Sequence, residues 1–232
     1  MLKKIPTYLI GLLPLALVAG PFIAELFLFL IFLIFIFFFI KEKPLYLFQT
    51  KIFKIFIIFW IYIVIISFFS VENLISLKSS FFYFRFGLYT LAIIYFLNTL
   101  NGNLKIIYTI YKFTLLFIIF DSFIQVFLGK DIFGLEPYDK ELRRISGPFG
   151  EKQVLGSFLQ KILPVFIYFV IKNYQSFKKI NIFDLFIISF ALLLIFRSGD
   201  RAAFGLILLF SFLFYLIYKD LRKYVLISLL IF

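Results

Sequence analysis

Residues 21–40 read PFIAELFLFLIFLIFIFFFI, a run of twenty positions with Glu25 as its single charge. Runs of this kind recur along the 232 residues, and few folds tolerate them. An apolar stretch of about 18 or more residues reads as a membrane-spanning helix. A membrane β-barrel would instead alternate apolar and polar residues, and this chain does not. With 64% hydrophobic residues and a mean hydropathy of +1.09, a soluble globular domain is excluded. In hydrocarbon every backbone polar group must be satisfied internally, so the expected class is all-α: a polytopic transmembrane helical bundle.

Nine hydrophobic segments are expected, at roughly 6–20, 22–40, 52–70, 81–98, 105–128, 153–171, 182–197, 202–218 and 224 to the end. The first two cannot be one helix. About 35 residues at 1.5 Å each would reach about 52 Å, against a hydrocarbon core of about 30 Å. Gly20-Pro21 supplies the break. All 232 residues read as one transmembrane domain with an outer loop at 129–153. The last apolar run stops without a polar tail, so the sequence reads as truncated at its C-terminus.

The charges set the orientation. With a cytoplasmic N-terminus, the cytoplasmic ends and loops hold 14 of the 24 Lys and Arg residues but only Glu42, Asp184 and Asp220 of the 12 acids. Cations occur in every loop on that side, as the positive-inside rule requires. The net charge of +12 therefore belongs to membrane topology and gives no reason to expect nucleic acid. Cysteine and histidine are both absent, which removes thiolate chemistry, imidazole bases and the usual zinc and haem ligands. No metal site and no cofactor are expected.

Short polar groups gather toward the other, outer side. Glu25 lies near the outer end of the second segment and Arg85 in the opening turns of the fourth. Asp121 is in the outer half of the fifth, with Gln125 one turn on. Charges among lipid tails are costly and mark functional positions. Arg85 and Asp121 are suited to a structural ion pair, or the set could line a watery cavity. Lys54 and Lys112, by contrast, can snorkel to the cytoplasm. Arg197, Asp200 and Arg201 form a tight turn, RSGDR, between the seventh and eighth segments.

The outer loop reads GKDIFGLEPYDKELRRISGPFGEKQ. Arg143 and Arg144 precede Gly147-Pro148-Phe149-Gly150, a turn expected to lead directly into a helix. Helix-start N–H groups near Glu151 and Lys152, with two guanidiniums, would make a diphosphate clamp. The alternative is that the arginines only anchor the loop at lipid headgroups.

Five segments together resemble one family. RRISGPFGEKQVLGSFL at 143–159, FYFRFGL at 82–88, FIQVFLGKDIFG at 123–134, SGDRAAF at 198–204 and GPFIAE at 20–25 are similar, in order, to bacterial O-antigen ligase and O-antigen polymerase-like membrane proteins. The resemblance implies a GT-C-like glycosyltransferase of the bacterial inner membrane. Its donor would be a polyprenyl-diphosphate-linked glycan, and its acceptor lipid A–core for a ligase or a second glycan for a polymerase. On that basis Arg144 and Arg201 are expected to act on the departing diphosphate, with Glu151 orienting the acceptor hydroxyl. Arg143, Arg197 and Asp200 would complete the substrate site, and Arg85 would either join the clamp or hold Asp121. Family ligases also use a histidine in a later outer loop, which these 232 residues lack, so the sequence alone is expected to be inactive. Two other classes remain: a transporter of a lipid-linked anion, although no paired internal repeat supports it, and a non-catalytic assembly subunit, which would need neither the arginine set nor the rigid loop.

Overall fold

The computed structural model describes residues 4–99, 104–137, 144–150, 152–177, 181–218 and 222. Among them there are eight α-helices and no β-strand. They are α1 (Ile5–Ala19), α2 (Pro21–Glu42), α3 (Lys51–Ser67), α4 (Asn73–Thr99), α5 (Leu104–Leu128), α6 (Leu155–Phe177), α7 (Ile182–Arg197) and α8 (Arg201–Ile217). Short 3-10 turns occupy Leu45–Gln49 and Gly147–Phe149. Eight of the nine expected apolar segments are thus helical. The ninth lies outside the described residues.

Four helices, α2, α4, α5 and α6, are long and apolar enough to cross a membrane by length and composition. The chain is a membrane protein. The most apolar stretch of α2 has only 22% of its residues buried within the protein, so most of its side chains face outward, as a lipid-facing helix requires. α1, α3, α7 and α8 have 15 to 17 residues, about 23–26 Å at 1.5 Å per residue.

Local chemistry explains the helix ends. Gly20, at φ +144°, separates α1 from α2, and Pro21 opens α2 where a missing N–H costs nothing. Thr50 caps α3 by accepting the Phe53 N–H, and Asn181 caps α7 by accepting that of Phe183 at 3.0 Å. α4 starts eight residues before the expected apolar segment. Its first turns, NLISLKSSFF, are too polar to read as hydrocarbon yet contain no helix breaker. Arg85 consequently sits near the middle of α4 rather than in its opening turns.

The chain forms two compact units, Met1–Ile107 and Tyr108–Phe232. In the first, α1 packs on α2, α2 on α4 and α3 on α4. Aromatic rings fill the joints: Tyr89 against Phe32, Tyr95 against Phe35 and Phe38, and Trp60 against Phe84. The Trp60 indole N–H donates to the Ser80 carbonyl at 3.0 Å. The Tyr95 hydroxyl donates to Glu42. Arg85 donates to Glu25 Oε1 at 3.0 Å. Glu25, not Asp121, is therefore the carboxylate that pairs with Arg85.

In the second unit α6 packs on α7 and α8, and α7 on α8. Tyr108 of α5 stacks on Phe166 of α6, and Phe123 of α5 meets Phe190 of α7. Lys112 does not snorkel. Its ammonium lies 2.7 Å from Oδ1 of Asp184, whose Oδ2 accepts from the Tyr108 hydroxyl at 2.7 Å. A nearby carboxylate satisfies the ammonium without the chain having to reach water.

Candidate functional site

The cleft with clustered cations belongs to the second unit and is built where the loop after α5 meets the α7–α8 turn. The α7–α8 turn shapes itself first. The Ser198 hydroxyl donates back to the Ile195 carbonyl at 2.7 Å and accepts the Asp200 N–H at 3.3 Å. Gly199 turns the chain at φ +71°, a left-handed conformation that favours glycine. Asp200 then caps α8, its Oδ1 accepting the Ala203 N–H at 3.1 Å.

The loop docks on this turn. The Ile145 N–H donates to the Arg197 carbonyl at 3.4 Å, and the Gln153 amide donates to the Ser198 carbonyl at 3.2 Å. Gly199 admits the Arg144 side chain: a Cβ there would sit 2.9 Å from both Cδ and Nε of Arg144. Gly156 likewise lets α6 approach the turn, since its Cβ would sit 2.7 Å from that of Asp200. Gly199→Val therefore meets two obstacles, a strained φ and the arginine stem. We expect it to lower stability by about 1–3 kcal/mol, read as a fall in Tm of the purified protein in detergent.

The resulting open cleft has a volume of about 410 Å³ and is lined by Arg144, Gln153, Gly199, Asp200 and Arg201. Its volume lies in the range of small-ligand sites. Neither the Arg144 nor the Arg201 guanidinium makes a hydrogen bond or ion pair among the described residues. Both stand at the N-terminus of α8, where the backbone adds partial positive charge. The one carboxylate in the lining, Asp200, uses Oδ1 on the helix cap. The arrangement can take an anion with several oxygens.

The structure thus brings Arg144 together with Asp200 and Arg201, expected site residues more than 50 positions further along the chain. Arg197 is exposed on the same turn but does not line the cleft. Arg143 and Glu151 lie outside the described residues. Asp121 is fully buried on α5, and Arg85 is paired in the first unit.

The Gly147–Gly150 turn differs from expectation. It does not open directly into a helix, because α6 starts only at Leu155. Its backbone N–H groups are already engaged: those of Ser146 and Gly147 both donate to Gln125 Oε1, at 3.0 and 2.9 Å. The Gln125 amide in turn donates to Ser146 Oγ at 3.3 Å. Two adjacent N–H groups converging on one acceptor need the single glutamine oxygen, so Gln125 holds the loop and does not line a watery cavity. The helix start that faces the cleft is that of α8. Gln153 is the lining residue that sequence reasoning missed. Its proximity to the arginine pair was a signal, but its role emerges only from the Ser198 contact. Comparison with protein-family models, with curated proteins and with solved structures finds no match for this chain.

Proposed function

We propose that this chain is the membrane domain of a glycosyltransferase that moves a glycan from a polyprenyl-diphosphate donor, with lipid A–core as acceptor. The observation that carries the proposal is the pair of unpaired guanidiniums, Arg144 and Arg201, on one cleft at the start of α8. In the reaction an acceptor oxygen bonds to the sugar anomeric carbon. The bond from that carbon to the diphosphate oxygen breaks, and its electron pair leaves with the polyprenyl diphosphate. The acceptor hydroxyl proton passes to a base, and Glu151, seven residues after Arg144, would orient that hydroxyl. Charge grows on the diphosphate as the bond breaks, so two fixed guanidiniums stabilise the transition state more than the ground state. Asp200 holds the α8 start and Gln153 holds the turn. Arg143 and Arg197 flank these groups in sequence and would strengthen the field. A second reading keeps the same chemistry: the acceptor is another glycan repeat and the product a polymer.

This reading takes the chain as a GT-C-like bundle with nine crossings, the shorter helices crossing a locally thinned bilayer. The N-terminus is cytoplasmic, in the bacterial inner membrane, and the cleft faces outward. The cation distribution supports that orientation. The absence of cysteine makes it directly testable. A single Lys152→Cys substitution, at an exposed position beside the cleft, is expected to react with a small membrane-impermeant maleimide in intact cells. Lys43→Cys, exposed after α2, is expected to react only after permeabilisation. The opposite pattern would place the cleft in the cytoplasm, out of reach of a periplasmic donor, and sink the reading.

A further inference from the structure

Two carboxylates are buried together near the C-terminal end of α5. Asp121 is 0% exposed and Asp131 is 5% exposed. Asp121 sits about 10 Å from the end of α5, counting seven residues at 1.5 Å. Asp131 lies in the turn that follows. The turn folds back onto the helix, so that Asp121 Oδ1 accepts the Ile132 N–H at 2.9 Å. Asp131 Oδ1 accepts the Leu135 N–H at 2.6 Å within the same turn. Each carboxylate thus uses one oxygen on the backbone of this turn. The second oxygen of each, Oδ2, is buried and has no hydrogen-bond partner. The residue whose N–H Asp121 accepts, Ile132, directly follows Asp131, so the two carboxylates are neighbours.

Nothing among the described residues compensates them. The adjacent cation, Lys130, points to Glu136 at 3.7 Å instead, and neither aspartate forms an ion pair. Two buried carboxylates side by side need either protons or a cation, because neither desolvation nor mutual repulsion permits both to stand bare. The donor set is oxygen only, which selects a hard ion. A charge of two neutralises both groups at once. One carboxylate oxygen from a helix and one from a turn supply two of the oxygen ligands that magnesium and calcium take.

We propose that Asp121 and Asp131 bind one divalent cation of the magnesium or calcium type through their two unpartnered oxygens, fastening the turn after α5 to the helix. The consequence reaches further along the loop. One turn beyond Asp121 on the same helix, Gln125 holds the backbone of Ser146 and Gly147, and its amide also reaches the Leu135 carbonyl at 3.5 Å. The cation therefore steadies both ends of the loop that delivers Arg144. It is a structural ion, separate from the Arg144–Arg201 cleft, and does not depend on the glycan-transfer reading.

The test uses the full chain in detergent, stripped with a chelator and exchanged into metal-free buffer. Magnesium or calcium chloride is then titrated while Tm is followed, and equilibrium dialysis counts bound ions. At one hundred times the dissociation constant, one of the two ions is expected to raise Tm by about 5–10 °C, with one ion bound per chain. Asp121→Asn and Asp131→Asn are each expected to remove both the Tm response and the bound ion. Glu72→Gln, at an exposed acid in the first unit, is expected to leave both intact. A wild-type chain that ignores millimolar amounts of either ion would overturn the proposal, whether or not the asparagine variants fold. So would asparagine variants that still bind one ion. If the pair holds a shared proton instead, the wild type would be insensitive to metal and both asparagine variants would be more stable than it.

Discussion

Arg201→Ala in the full-length protein is expected to reduce glycan transfer by about 100- to 1,000-fold, with insertion and helical content unchanged. Arg144→Ala is expected to do the same. The size follows from what each guanidinium does in the cleft. In the proposed reaction it would face an anion whose charge increases as the sugar–oxygen bond breaks, in a site edged by the start of α8. Among the described residues it has no hydrogen-bond or ion-pair partner that its removal would orphan, so the loss is expected in the reaction and not in stability. Lysine at either position is expected to recover only part of the activity, because an ammonium keeps the charge but loses the planar two-point contact with phosphate oxygens. The measurement is a time course of glycan transfer from purified lipid-linked donor, alongside circular dichroism of each variant. Two variants with wild-type rates would remove the clamp from the mechanism.

The largest stability effect is expected elsewhere in the second unit. Asp184→Ala leaves the Lys112 ammonium and the Tyr108 hydroxyl without their acceptor. Breaking one side of a buried ion pair costs about 3–5 kcal/mol, and Asp184 is among the buried polar residues at 2% exposure. A drop of about 3 kcal/mol in unfolding free energy is expected, measured by denaturant titration in mixed micelles. Adding Lys112→Met to the same chain is expected to recover much of it, because the stranded charge is then gone. If Asp184→Ala alone unfolds at the wild-type midpoint, Lys112 has water or another partner and the pair is not structural.

The two effects also separate what the sequence reveals from what it conceals. The helices were legible because apolar runs in a bilayer have few options, and Gly20-Pro21 marked the one break that hydropathy would have missed. The polar residues were legible as a set, because a charge in such a sequence needs a reason. Their partners were not. Arg85 and Glu25 are 60 residues apart, and Lys112 and Asp184 are 72 apart. No periodic pattern encodes a contact at that separation. Sequence reasoning therefore offered Arg85 to the clamp or to Asp121, whereas it donates to Glu25, and Lys112 to solvent, whereas it pairs with Asp184.

The cleft was partly legible. Arg144 and the RSGDR turn stood out as polar islands, and the structure brings them together. Their meeting depends on Gly199 and Gly156, two positions where a missing side chain permits close approach. A glycine in sequence says that something approaches, without saying what. Gln125 was misread for a related reason: one oxygen accepting two backbone N–H groups from a distant loop leaves no local trace. The start of α6 was misplaced because Gly150 and the residues after it looked like a helix lead-in, whereas the chain needs a further turn before Leu155.

The central claim is that Arg144 and Arg201 act on one and the same diphosphate. The direct measurement is a double-mutant cycle on binding of a polyprenyl diphosphate to the full-length protein in detergent, with the polyprenyl monophosphate as reference. Arg144→Ala and Arg201→Ala are each expected to weaken the diphosphate by about tenfold or more, with the double variant losing less than the product of the two. The monophosphate is expected to bind more weakly throughout and to respond less. Binding that is unchanged by either substitution, or losses that multiply independently with no preference for the diphosphate, would contradict a shared clamp.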